Sequence, residues 1–289
     1  MGIHLGNGGL FRCGKTIKEI YYRENGMNAA RPLEQVYVGN NLVWFKRFPH
    51  DAFIAISAVN LTEGGIRMCS GGVRDMSGND MNGLAYNWVS IVNDTTMGES
   101  FHFVNNTQAK YIYWGPYSSS DIDYNQNTPG NPIEYSGLTD VTVHFRMNIS
   151  NDDENPCYFD SRDINGTMNF YVAKDRNSNK IRVVTVTSNG ETTFLSSNDM
   201  PKNQVFTLTV SVSKSIGRVI IYFNGNRDST HTLNSNELTF GNSNITMVGS
   251  FRNKPSFRGF IGNIADFRLF KRTLSSVEIS YLNQYPRMY

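Results

Sequence analysis

In Val141-Thr142-Val143-His144-Phe145-Arg146-Met147-Asn148-Ile149 apolar and polar residues alternate without interruption. A helix turning through 3.6 residues would scatter the apolar side chains of such a run around its circumference. A strand sends successive side chains to opposite sides and so gathers them on one dry face. Phe206-Thr207-Leu208-Thr209-Val210-Ser211-Val212-Ser213 repeats the pattern. Each run predicts a strand with one dry face and one wet face. Arg218-Val219-Ile220-Ile221-Tyr222-Phe223 is apolar on both sides, as expected of a strand covered on both faces. It leads into Asn224-Gly225, a pair that tolerates positive φ and favours a tight hairpin turn. Further β-rich segments run from Met168 to Ala173, Ile181 to Thr187, Ile245 to Val248 and Ile261 to Phe270. Turn formers fill Asp175 to Lys180 and Ser188 to Glu191. Many short strands at this spacing indicate an antiparallel sandwich or barrel. One helix is expected, over Leu274 to Leu282, with Ser275 as cap and Glu278 three residues later to complete a capping box.

The first fifty residues differ. Thr16 to Tyr22 and Glu34 to Val38 are short alternating stretches, and the second continues through Gly39-Asn40-Asn41 into Leu42-Val43-Trp44-Phe45, a compact hairpin signature. Hairpins of this size bury too little surface to be stable alone, so the segment is expected to dock on something larger. The boundary is placed near Phe48-Pro49-His50, giving a β-hairpin-rich attachment segment over 1–48 and a main domain over 52–289.

Composition narrows the function classes. Of the 289 residues 39% are hydrophobic and 18% charged, with a net charge of +2 and no basic run longer than pairs such as Lys46-Arg47. That excludes the signature of a disordered tail and offers no basic stripe for a phosphate backbone, so no nucleic-acid partner is expected. No apolar run approaches the ~20 residues of a membrane helix, so no membrane insertion is expected. Met1 to Gly9 lacks a basic start followed by an apolar stretch, and Gly6 stands where a myristoylation motif needs Ser or Thr. Cys13, Cys69 and Cys157 are odd in number and far apart, which suits reduced thiols in a protein made in a cytoplasm. Triplets such as Asn60-Leu61-Thr62 and Asn244-Ile245-Thr246 then count as accidental glycosylation motifs.

Three motifs stand in order along residues 53–282. Asp75-Met76-Ser77-Gly78-Asn79-Asp80-Met81-Asn82-Gly83 opens the series, the strand ending at Asn224-Gly225 follows, and the stretch from Phe257-Arg258-Gly259-Phe260-Ile261 through Phe267-Arg268-Leu269-Phe270 to Leu274-Ser275-Ser276-Val277-Glu278-Ile279 closes it. In this series the chain resembles the laminin-G-like, concanavalin-like jelly-roll family, which implies an all-β, antiparallel jelly-roll β-sandwich. That fold hosts lectins, adhesion modules, hydrolases and inert spacers, so it does not by itself specify an activity. Ile17-Lys18-Glu19-Ile20-Tyr21 and Val36-Tyr37-Val38-Gly39-Asn40-Asn41-Leu42-Val43-Trp44 resemble, more loosely, segments of bacteriophage tail and appendage proteins. The resemblance makes Ile20, Tyr37 and Trp44 the candidates for docking to a virion.

Glycoside hydrolysis needs two carboxyl groups flanking the bond. Related glycosidases carry an alternating Glu-x-Asp-x-x-Glu strand, which is absent here; the nearest acidic pair, Asp121 and Asp123, sits in a Ser-, Tyr- and Asn-rich loop. The five histidines are isolated and no Cys-x-x-Cys pair occurs, so transition-metal and thiol chemistry have no motif. His144 is read as a surface or sheet-packing histidine, and Cys157 as inert. Calcium is the one cation the rim loops suit: jelly rolls of this kind sometimes hold it, and Asp152 and Asp153 within Asn151–Asn155 are the candidates, against an ordinary solvated loop. No other cofactor is expected. Sugar binding requires aromatic faces beside fixed polar groups. Tyr113, Trp114 and Tyr117 in one loop, and Asp160 and Arg162 in another, supply that mixture, against the alternative that they fill the core or an interface. The expected protein is a non-enzymatic bacteriophage virion component, in a tail, fibre, collar or head decoration. It would be assembled in the host cytoplasm beside other virion proteins, as a homo-oligomer, with a host-surface glycan as further partner. A free-standing carbohydrate-binding or adhesion module is the alternative, and a polysaccharide-cleaving enzyme a third.

Overall fold

The computed structural model describes residues 51–57, 68–69, 72–73, 75–77, 79, 81, 83–86, 89–104, 110–115, 132–150, 156–163, 165–241, 246–251 and 259–285. It also describes the backbone of five N-terminal strands, Gly2–His4, Tyr21–Arg23, Arg31–Pro32, Gln35–Val38 and Asn41–Phe45. Every strand pair among these residues is antiparallel.

Two large sheets face one another. The first runs in the order Asn226–Thr232, Arg218–Phe223, Val205–Ser213, Asp140–Ile149, Gly262–Phe270, Gly98–Phe103, Val89–Asp94 and Met68–Cys69, with Ile54–Ser57 also paired on Gly262–Phe270. The second runs Gly190–Asp199, Lys180–Thr187, Phe170–Lys174, Cys157–Asp160, Thr246–Val248, Tyr111–Trp114, Gly83–Tyr86 and Gly72–Val73. The alternating runs do what their period dictates. Val141, Val143, Phe145, Met147 and Ile149 point into the core between the sheets, beside Phe206, Leu208, Val210 and Val212 of the neighbouring strand. Asn224 and Gly225 turn the hairpin with φ of 50° and 77°, the left-handed backbone that this pair accepts at little cost. The N-terminal strands pair with one another, Gly2–His4 through Arg31–Pro32 as one sheet and Gln35–Val38 with Asn41–Phe45 as a hairpin.

Asp75, from the opening motif, locks the entry to the sandwich. Its carboxylate accepts from the backbone N–H groups of Ala55, Ser77 and Met81 and from the Ser77 hydroxyl. The loop is thereby pinned to Ile54–Ser57, the strand laid along Gly262–Phe270.

The polar face of Asp140–Ile149 is not wet, contrary to its alternation. Pairing sets Ala55, Arg268, His144, Thr209 and Tyr222 side by side in one row across the sheet. The ends of that row, Ala55 and Tyr222, pack with Leu274, Ile279 and Leu282 of the C-terminal helix segment. The helix, Ser276–Gln284, therefore lies across the row and buries what is beneath it. Ser275 caps it, accepting from the Glu278 N–H while the Glu278 carboxylate accepts from the Ser275 N–H, as the spacing of the two residues predicts. The same helix explains why Arg218–Phe223 is apolar on both sides: Val219 and Ile221 enter the core, while Ile220 and Tyr222 meet the helix.

His144 is fully buried in this layer. Its Nδ1 lies 2.8 Å from Thr209 Oγ1, and Nε2 has no partner. Burial, seconded by the Arg268 charge beside it, depresses its pKa to about 3. The unfolded chain takes up a proton at this histidine near pH 6.5 and the folded one does not, so stability is full above pH 6.5 and falls as the pH drops toward 3. Urea unfolding between pH 7 and 5 should show wild-type stability declining toward a limiting slope of ~1.4 kcal/mol per pH unit from this one group, and H144Q should lose that share. Parallel slopes in the two proteins would show that His144 is not held neutral.

Candidate functional site

Tyr113, Trp114 and Asp160, expected in loops, lie instead in the strands Tyr111–Trp114 and Cys157–Asp160, and all three are buried. Asp160 stands opposite Met247, and Met247 opposite Tyr113, so Asp160 and Tyr113 lie two strands apart on the outer face of the second sheet, roughly 10 Å from each other at ordinary strand spacing. Trp114, the next residue after Tyr113, necessarily points the other way. It is fully buried between the sheets, its indole Nε1 donating to the Met81 carbonyl at 2.8 Å. It fills the core and offers no ring face to solvent. Tyr117, Asp121 and Asp123 lie outside the described residues, as do Asp152, Asp153 and Ile20. Tyr37 and Trp44 fall within the N-terminal hairpin, where Val36 pairs with Trp44 and Tyr37 with Leu42. Among the described residues no group of three or more His, Cys, Asp or Glu is placed to hold a metal ion.

Asp160 and Arg162 form the centre of the site. The Arg162 backbone N–H and Nε donate to Asp160 Oδ1 at 3.1 and 3.0 Å, and Nη2 donates to Oδ2 at 2.7 Å. This two-point grip fixes the plane of the guanidinium. Burial alone would lower the arginine's pKa, but the Asp160 hydrogen bonds and charge outweigh it and raise it. The guanidinium carbon sits 4.4 Å above the centre of the Tyr171 ring and 5.7 Å from that of Phe251, within reach of a cation–π attraction. Tyr171 and Phe251 meet edge to face at 5.3 Å. On the outer side Arg162 Nη1 is 3.7 Å from Glu191 Oε1, and the Tyr171 hydroxyl donates to Glu191 Oε2 at 3.4 Å. The Glu191 side chain is half exposed, against 10% for Arg162, so solvent reaches the cluster at the Glu191 end. Arg182 completes it, 5.5 Å from the Tyr171 ring. Burial, partly offset by Arg182, pushes Tyr171 up to about 12, so at neutral pH its hydroxyl is a donor.

Two neighbouring groups serve the frame. The Asp163 carboxylate accepts from the N–H groups of Asn165, Thr167 and Met168; burial opposes its ionisation, but these bonds prevail and lower its pKa. Cys157 is fully buried, and desolvation together with the Asp160 charge raises its thiol pKa well above the usual range, which leaves it unreactive at neutral pH.

Tyr171, Arg182, Glu191 and Phe251 were not legible as site residues. Phe170-Tyr171-Val172-Ala173 is apolar at every position, so nothing in it marks which face Tyr171 takes. Arg182, the one cation inside Ile181-Arg182-Val183-Val184, was the available signal.

Removing the arginine should expose how the pair is balanced. R162M leaves the Asp160 carboxylate buried without its counter-charge and should cost ~3–5 kcal/mol in urea unfolding, while D160N/R162M, with neither charge, should recover most of that loss. A single variant within ~1 kcal/mol of wild type would mean that the pair is not desolvated.

A family model described as the concanavalin A-like lectin/glucanases superfamily matches residues 120–280. No protein of curated function matches the chain in sequence. Among solved structures, the binding domain of botulinum neurotoxin DC in complex with rat synaptotagmin II superposes with a TM-score of 0.56 at 15% identity, over 81% of this chain and 51% of that one. The same binding domain in complex with SialylT gives 0.53 at 15%, again over 81% and 51%. The receptor binding domain of the C/D mosaic serotype gives 0.54 at 14%, with the same coverage. The chain spans about half the length of these structures, and at such identities the likeness is one of fold.

Proposed function

The chain belongs to the concanavalin A-like lectin/glucanases superfamily, and from that premise we propose that it is a non-enzymatic recognition module. It binds a cell-surface glycan through the outer face of the second sheet and is displayed on a bacteriophage particle by its N-terminal strands. The observation that carries the binding role is the Arg162 guanidinium, gripped by Asp160 on one edge, stacked on Tyr171, and open toward Glu191. Donors and acceptors fixed before the ligand arrives lose little entropy on binding, which suits hydroxyl recognition. The solved relatives named as binding domains, one in complex with SialylT, support the same reading. A glycosidase would need a carboxyl free to protonate the glycosidic oxygen. Asp160 instead is fully buried and gives both oxygens to Arg162, which favours binding over cleavage.

Display is supported by the N-terminal strands, which pair among themselves, and by the phage-like segments around Ile20, Tyr37 and Trp44. Docking of this segment to other virion proteins would place the sandwich outward.

One experiment addresses both roles. The full chain and a chain lacking residues 1–48 are assayed on an array of bacterial surface glycans and for incorporation into particles. Both chains should bind the same glycan, E191Q should weaken binding about tenfold through loss of a charge-assisted hydrogen bond, and only the full chain should be incorporated. An array with no binder, or release of reducing ends from the bound glycan, would refute the lectin reading. Incorporation of the shortened chain would refute the display role.

A further inference from the structure

The opposite side of the sandwich carries a groove of about 390 Å³ along the edge strand Asn226–Thr232, lined by Arg218, Arg227, Thr230 and Thr232 among others. Strand register assigns its face. Arg218 pairs with Thr232, Ile220 with Thr230 and Tyr222 with Arg227. Val219 and Ile221 enter the core while Ile220 and Tyr222 face the helix. The two arginines and the two threonines therefore share the outward face of the first sheet. All four are exposed. Arg218 and Tyr222 are four residues apart on one strand, which puts the two arginines about 13 Å apart along the strand direction.

The charge there is unbalanced. Asp228 is the groove's one acidic side chain, and it is committed elsewhere: its carboxylate accepts from the backbone N–H groups of Ser197 and Asn198 at 2.6 and 3.1 Å and from Asn198 Nδ2 at 2.8 Å. Neither Arg218 nor Arg227 forms an ion pair among the described residues. Their positions are fixed by a paired hairpin, not by a loop.

We propose that this groove is a second binding site, for an extended acidic saccharide that places carboxylate or sulfate groups on Arg218 and Arg227. The occupant follows from the lining. Guanidinium groups grip carboxylate and sulfate oxygens at two points. The two threonine hydroxyls between them suit sugar hydroxyls. Among the described residues the groove's lining holds no Phe, Tyr, Trp or large aliphatic side chain to anchor a peptide or a lipid chain, and its one ring, His231, is turned to the Leu195 carbonyl and Phe194. The site lies on the face opposite Arg162 and is independent of the lectin reading.

Binding of the full chain to dextran sulfate, polygalacturonate, unmodified dextran and polyglutamate is measured by calorimetry at low and at physiological salt. Both acidic polysaccharides should bind, more weakly as salt rises, and unmodified dextran should not. R218Q/R227Q should lose at least tenfold in affinity with its melting temperature unchanged. R176Q/K202Q, which removes the same charge elsewhere, should change affinity less than twofold. Equal binding of unmodified dextran, an equal loss in the R176Q/K202Q protein, or no binding of either acidic polysaccharide would overturn the proposal. Equally tight polyglutamate would overturn the saccharide assignment. E191Q should leave this binding intact, so failure here and failure of the lectin site are read separately.

Discussion

The sandwich is held shut at Phe267. Its ring centroid stands 5.0 Å from that of Phe145 in its own sheet, and 5.7 and 6.1 Å from those of Trp114 and Phe159 in the facing sheet. The strand that carries it, Gly262–Phe270, pairs with Asp140–Ile149 along one edge and with both Gly98–Phe103 and Ile54–Ser57 along the other. The first strand of the sandwich and two later ones thus meet on its last strand, and the ring at its centre clamps the two layers. Trp114 belongs to that clamp, which is why this candidate for sugar contact is spent on the interior.

With the core dry and fixed, the outer surfaces are free to differ. One is sealed in its middle by the C-terminal helix, which turns a polar row into an enclosed layer with a neutral histidine at its centre. The other is dressed with tyrosine, phenylalanine and an arginine–aspartate pair, and opens to solvent through Glu191. Asp160 and Arg162 are costly to bury, and their mutual grip both offsets that cost and fixes the orientation of the guanidinium.

The fold was largely legible. Period-two runs such as 141–149 and 206–213, the Asn224-Gly225 turn and the Ser275/Glu278 cap encode local geometry, and local geometry follows from residue type. What sat outside an outward-facing strand position was not legible, because alternation records only whether a side chain is polar. It does not tell a helix from water as the covering layer, so His144 and Thr142 read as the wet side. The site was half legible for the same reason. Asp160 and Arg162 stood out as charges among aromatics, and Tyr113 shares their face. Tyr171 was hidden within a segment apolar throughout, and Phe251 in the polar stretch after the strand Thr246–Val248; only the fold brings them under Arg162.

The cross-sheet clamp joins the two layers, and F267A in equilibrium urea unfolding tests it most directly. Truncating a fully buried aromatic residue that touches both layers should lower stability by ~3–5 kcal/mol, with tryptophan fluorescence and far-ultraviolet circular dichroism still reporting one coincident transition. A loss below ~1 kcal/mol, or separate transitions for the two signals, would mean that the layers are not joined at this ring.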